Sequence, residues 1–154
     1  MKMVDVGAKD KTERVAVAEC WLRMSPEALR KVRENCVEKG DVLAAAKLAA
    51  IMAAKRTPDI LPLCHPLGLT SVELHIEVEE SGMHFVSTVK TRERTGVEME
   101  ALTSVSVAAL AAWDMLKSTD KAMCLEGVRL LEKSGGRSGH WKNHSGGYKP
   151  GQLS

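Results

Sequence analysis

Aromatic side chains are scarce in this 154-residue chain: one Phe, one Tyr and three Trp, 3% of the residues. So few flat rings leave almost no platform for stacked bases, and a formal charge of +2 is too small to hold a phosphate backbone. Nucleic acid is not an expected partner. Cysteine is sparse too. Cys20, Cys36, Cys64 and Cys124 are far apart and form no CxxC pair, which rules out zinc-finger and disulfide-framework spacings and suits reduced thiols in a cytoplasmic protein. The first residues, MKMVDVGAKDKTER, contain no apolar signal region, and no charge-free stretch approaches a membrane span, so no membrane partner is expected.

What is present fits one domain over residues 1–142, long enough to bury a core without staples, followed by a tail at 143–154 with the composition of a disordered end. Arg14 to Met24 alternates like a strand. Ser25-Pro26-Glu27 supplies a cap, a first-turn proline and a favourable charge for a helix with Leu29, Val32 and Cys36 on one side, ended by Gly40. Asp41 caps a second, alanine-rich helix, Val42 to Arg56, closed by Pro58. DILPLCHPLGLT, from Asp59 to Thr70, packs prolines around Cys64 and His65 and predicts a shaped loop. Ser71 to Val78 alternates strictly, Ser81-Gly82 turns the chain, and Met83 to Thr91 returns. A long helix from about Val97 and a last strand at Met123 to Leu131 complete an α+β pattern, a mainly antiparallel sheet covered on one face by helices.

The long helix, within GVEMEALTSVSVAALAAWDMLK, is the most informative segment. Glu98 and Glu100 stand at its start and Asp114 and Lys117 at its end, with almost no charge between. Asp114 and Lys117 are three apart, so they project from one face as an acid/base pair. Glu100 and Asp114 share an angular face but lie about 21 Å apart along the axis. One small substrate cannot touch both from a single helix. Either the ends have separate roles, or two antiparallel copies bring Glu100 of one subunit to Asp114 of the next.

Other segments offer weaker chemistry. His65 is held in a proline-stiffened loop that can aim its imidazole. Cys64 and His65 lack the further ligands a metal needs. Lys133-Ser134-Gly135-Gly136-Arg137 joins two cations to glycines able to form an anion nest, although the P-loop order is absent. Lys39 precedes a helix N-terminus that favours anions. Glu98 and Glu100 also suit the positive end of their helix dipole. Residue types and spacing alone reach an oligomeric α+β protein that binds an anionic ligand.

Taken together, MVDVGAKDKTERVA (Met3 to Ala16), KGDV (Lys39 to Val42), AAKRTPDILPLCHPL (Ala53 to Leu67), TGVEMEALTSVSVAAL (Thr95 to Leu110), DMLK (Asp114 to Lys117) and GVRLLEKSGG (Gly127 to Gly136) resemble one family. It is molybdenum-cofactor biosynthesis protein C, the cyclic pyranopterin monophosphate synthases. The resemblance spans about Met3 to Trp141. It implies conversion of 3′,8-cyclo-7,8-dihydroguanosine 5′-triphosphate to cyclic pyranopterin monophosphate with loss of pyrophosphate, the work of a phosphorus–oxygen lyase. It also implies a ferredoxin-like fold and a homohexamer, a trimer of dimers, with sites at a subunit interface.

By the same resemblance Asp114 is the catalytic acid and Lys117 its essential partner. Leu63, Cys64 and His65 match one substrate-contacting segment, Met99 with Glu100 another, and Lys39 and Lys133 the basic residues of the pocket. The expected division of labour gives acid/base work to Asp114 and Lys117, with His65 and Glu100 assisting. Lys39, Lys133 and Arg137 neutralise the triphosphate. No residue set forms a metal cage, so no cofactor is expected beyond Mg²⁺ carried by the substrate. The chain departs from the family at His140, commonly an aspartate, and at Trp113, often a tyrosine. Two other classes are a non-catalytic pterin- or nucleotide-binding relative, which would lose Asp114 or Lys117, and a metal-dependent phosphohydrolase, for which no metal motif is visible.

Overall fold

The computed structural model describes residues 1–145, so the expectation for residues 146–154 lies outside the described residues. The elements run β1 (Thr12–Arg23), α1 (Pro26–Arg33), α2 (Val42–Lys55), α3 (Thr57–Ile60), β2 (Leu69–Val78), β3 (Gly82–Glu93), α4 (Glu98–Leu116), β4 (Cys124–Ser134) and β5 (Trp141–Lys142). The five strands form one antiparallel sheet in the order β2-β3-β1-β4-β5. Without the short β5 this is the ferredoxin-like arrangement. Asn143, assigned by composition to the tail, is tied down by hydrogen bonds to the carbonyls of Leu130 and Leu131.

The strand periods decide which face is covered. Ala16, Ala18, Cys20 and Leu22 of β1 and Met83, Phe85 and Val89 of β3 are buried towards one side, where α4 lies across the sheet with α2 beside it. Ala101, Ser104, Val105, Ala108, Ala109, Ala112 and Leu116 of α4 are all buried. Small side chains allow a close approach, and the two polar ones are satisfied. Ser87 Oγ donates to Ser104 Oγ at 2.8 Å, and Cys20 Sγ donates to the Val105 carbonyl at 3.2 Å. Burial pushes the Cys20 thiol up to about 12, so it behaves as a small core residue.

Three local expectations change. The first helix stops at Arg33 rather than running to Gly40, and Cys36 is exposed. Asn35 takes a left-handed conformation, φ 49°, with its N–H on the Val32 carbonyl while the Cys36 N–H reaches Lys31 O. That pair of bonds is a Schellman stop, and asparagine tolerates the conformation it needs. Pro58 lies within a single turn, α3, beyond the end of α2. Finally, α4 is the one helix among the described residues long and apolar enough, by length and composition, to cross a membrane. Its apolar character is explained by an inner face that fills the core.

Phe85, the only phenylalanine, is fully buried between α4 and the sheet. Phe85→Ala should lower unfolding stability by about 3–5 kcal/mol, measured by urea denaturation, because the cavity cannot be refilled by such small neighbours.

Candidate active site

Chain segments at one end of the sheet build a groove. The loop from Leu61 to Leu67 lies against Thr95, Gly96 and the first turn of α4, enclosing about 540 Å³ lined by Leu63, Cys64, His65, Glu98, Met99 and Glu100. Leu63 and Met99, 45% and 43% exposed, give it apolar walls. Thus the two segments expected to touch substrate do meet. A second hollow, between this loop and the N-terminal segment, is lined by Lys2, Lys9, His65 and Thr95, so His65 borders both.

Glu100 is the least ordinary residue of the groove. It is only 2% exposed, and its Oε2 has no hydrogen-bond partner. Cys64 Sγ donates to Oε1 at 3.5 Å, a weak bond. Burial raises the Glu100 pKa above its ordinary value, and the nearby Glu98 charge adds to the rise against the lowering effect of its hydrogen bonds. The charged form is therefore disfavoured relative to that of an exposed glutamate. Burial and Glu100 in turn push Cys64 up to about 11, which keeps it a thiol rather than a thiolate nucleophile or metal ligand at neutral pH.

Glu98 connects this groove to β4. Its Oε1 lies 2.6 Å from Lys133 Nζ, and its carboxylate folds back over Gly96, where any Cβ would collide with it. Gly96 thus leaves the space that this carboxylate occupies. The same holds at Gly136, whose missing Cβ leaves room for the Arg14 guanidinium. Arg14 also donates to the carbonyls of Glu93 and Arg94. Lys9, Arg14 and Arg137, with Asp10 and Thr12, line a separate hollow of about 230 Å³. The glycines expected as an anion nest therefore serve at least as packing positions, and the cations come from three segments.

At the far end of α4 lies the other half. Asp114 Oδ1 is 2.6 Å from Lys117 Nζ, and its Oδ2 is 2.7 Å from Lys39 Nζ, which also donates to the Asp114 carbonyl. A negative side chain near a helix C-terminus is unfavourable by itself. Here hydrogen bonds from Lys117, then Lys39, hold the carboxyl down to about 2, fully ionised at neutral pH. Trp113 Nε1 donates to the Met123 carbonyl at 3.1 Å, anchoring this turn to the segment entering β4.

The sequence pattern that defines the MoaC family matches residues 3–136, most of the chain. The chain belongs to the MoaC family. It is 55% identical over 142 residues to the cyclic pyranopterin monophosphate synthase of Heliobacterium modesticaldum, covering 91% of this chain and 89% of that one. The protein of the same name from Thermomicrobium roseum is 52% identical (92% and 86% covered), and that from Rhodospirillum rubrum 55% (90% and 85% covered).

Within this MoaC-family chain, the residues singled out from sequence fall into three groups. Leu63, Cys64, His65, Glu98, Met99, Glu100 and Lys133 gather at the start of α4. Asp114, Lys117 and Lys39 gather at its end, and Arg137 borders the N-terminal hollow. His65 therefore does not stand beside Asp114 in one chain, nor Lys39 beside Lys133. His140, the other departure, hydrogen-bonds Glu132 on β4. Sequence reading passed over Lys9, Arg14 and Thr95. Arg14 in particular sits in a strand pattern that gives no hint of its reach to Gly136.

Two titrations check this picture. In ¹³C-carboxyl NMR, Asp114 should titrate near 2, and Lys117→Ala or Lys39→Ala should each move its midpoint up towards the ordinary 3.8. For Glu100 the sign is opposite. A raised folded value favours the native state fully below the ordinary 4.5, and that contribution is lost as pH rises through the folded value. Glu100→Gln, always neutral, should therefore flatten the fall in stability as pH rises above 4.5, measured by denaturant unfolding across pH.

Proposed function

We propose that this protein is a cytoplasmic cyclic pyranopterin monophosphate synthase. It converts 3′,8-cyclo-7,8-dihydroguanosine 5′-triphosphate to cyclic pyranopterin monophosphate and pyrophosphate, as a phosphorus–oxygen lyase. The observation that carries the reading is similarity above 50% identity, over nine-tenths of the chain, to relatives named for that activity. The paired half-sites supply chemistry of the right kind.

The reaction opens the purine's five-membered ring, closes a pterin and joins a ribose oxygen to the α-phosphorus. Asp114, ionised in the resting protein, is the base rather than the acid that the resemblance implied, and the Lys117 ammonium is the proton donor. Lys39 holds the second carboxylate oxygen and keeps Asp114 aimed. Glu100 presents its carboxyl to the polar edge of the heterocycle between Leu63 and Met99. In the last step a P–O bond to the ribose forms as the bond to pyrophosphate breaks, and the leaving group gathers negative charge. Lys133, Lys9, Arg14 and Arg137 neutralise it. Mg²⁺, when it accompanies the triphosphate, adds charge neutralisation there.

A substrate of this size needs both ends of α4, which about 21 Å separates. The working site is therefore assembled from two chains, the Glu100 end of one facing the Asp114 end of another. Such pairs make up a homohexamer, a trimer of dimers. Leu48, Met52, Ile60 and Leu110, each at least 50% exposed on the helical side, supply apolar surface for assembly.

Anaerobic incubation with the cyclised triphosphate should release pyrophosphate, and Asp114→Asn or Lys117→Ala should reduce the rate by about 10²–10⁴-fold. Release of inorganic phosphate from GTP instead would overturn the assignment. Mixing tests the shared site. Asp114→Asn and Glu100→Ala chains, each inactive alone, should recover roughly a quarter of native activity when unfolded and reassembled together, the yield of random pairing. No recovery from correctly assembled mixtures would place both halves in one chain.

A further inference from the structure

The sheet face away from the helices carries a second cluster of functional groups at the β2–β3 hairpin, one β2 length, roughly 30 Å, from the groove. A ring nitrogen of His84 and one carboxylate oxygen each of Glu77 and Glu79 lie within 4.8 Å of one another. Glu77 and His84 are direct cross-strand partners, and Glu79 follows at the turn. The turn itself is fixed, because the Glu79 N–H donates to Gly82 O at 2.8 Å and Arg33 Nη2 donates to Glu79 O at 2.6 Å. His75, two residues before Glu77 on the same face, places its Nε2 3.1 Å from Glu77 Oε1.

We propose that His84, Glu77 and Glu79, with His75 adjoining, form a binding site for a borderline divalent metal ion of the zinc type. His84 separates this cluster from an ordinary acidic patch. Its Nε2 lies 2.7 Å from Glu19 Oε2, and Glu19, 6% exposed, is itself held by Arg129 Nε at 2.7 Å. The Trp21 ring stacks on the imidazole at 3.9 Å and 11°. A buried carboxylate and an aromatic plate thus fix the ring's plane and tautomer, the support that metal-binding histidines typically have.

Charge points the same way. Among the described residues, Glu79's carboxylate has no ion-pair partner and Glu77's has only His75. Two carboxylates crowded against an imidazole repel each other, and a divalent cation between them removes that repulsion. An imidazole among the donors selects zinc-type ions over Mg²⁺ or Ca²⁺, and three protein ligands leave a position for His75 or water. The bound ion would clip edge strand β2 to β3.

Titration of the metal-free full-length protein with zinc chloride, by calorimetry and thermal melting, tests this. One zinc ion per chain and a higher melting temperature are expected, with no response to MgCl₂ or CaCl₂. His84→Gln and the double variant Glu77→Gln/Glu79→Gln should each bind about tenfold or more weakly. The double variant changes surface groups, so circular dichroism should match the native spectrum and pyrophosphate release should persist. No zinc binding by the native chain, equal binding by the folded double variant, or an equal response to magnesium would each overturn the site.

Discussion

Close packing of α4 on the sheet is the constraint on which everything else depends. Ala101, Ala108, Ala109 and Ala112 have no side chain long enough to adjust, so the helix sits at one height above β1 and β3. It is therefore a strut of fixed length. Both functional ends project from that strut, and neither can shift towards the other without disturbing the core. In the proposed reading, a site that uses both ends draws them from two molecules, because one rigid helix holds them apart.

The two carboxylates at the ends of this strut are tuned in opposite directions by ordinary means. Asp114 is solvent-exposed but gripped by two ammonium groups, so its charge is stabilised. Glu100 is buried with a single weak donor, so its charge is resisted. One fold thereby moves two carboxyls apart, Asp114 down to about 2 and Glu100 up from its ordinary value. The split depends on burial and neighbours, since the side chains differ by one methylene.

Much of the architecture was legible in the residues. Strict alternation in β2, the Asp41 cap, the Ser25-Pro26 start and the charge-free centre of α4 each determined an element. The grouping of LCHPL with the start of the GVEME helix followed from family resemblance and agrees with the observed groove. Other features depend on three-dimensional neighbours and leave no pattern in the letters. Nothing in EMEAL distinguishes an inward Glu100 from a Glu98 folded back to Lys133, and the glycines of KSGG read equally as a nest or as clearance for Arg14. The end of α1 was misplaced because an asparagine in left-handed geometry is less conspicuous than the glycine five residues on.

That early stop sets the position of a distant charge. Had α1 continued from Asn35 to Gly40, the added turns would carry the chain about 9 Å further along the helix axis and rotate each side chain by 100° per residue. Instead the chain reverses at once, and Lys39 arrives beside Asp114. The third member of the charged trio therefore owes its place to a backbone dihedral four residues upstream. A lysine retained in sequence but delivered by a different loop would not be equivalent, and the length and stop of α1 belong to the site as fully as the side chains that line it.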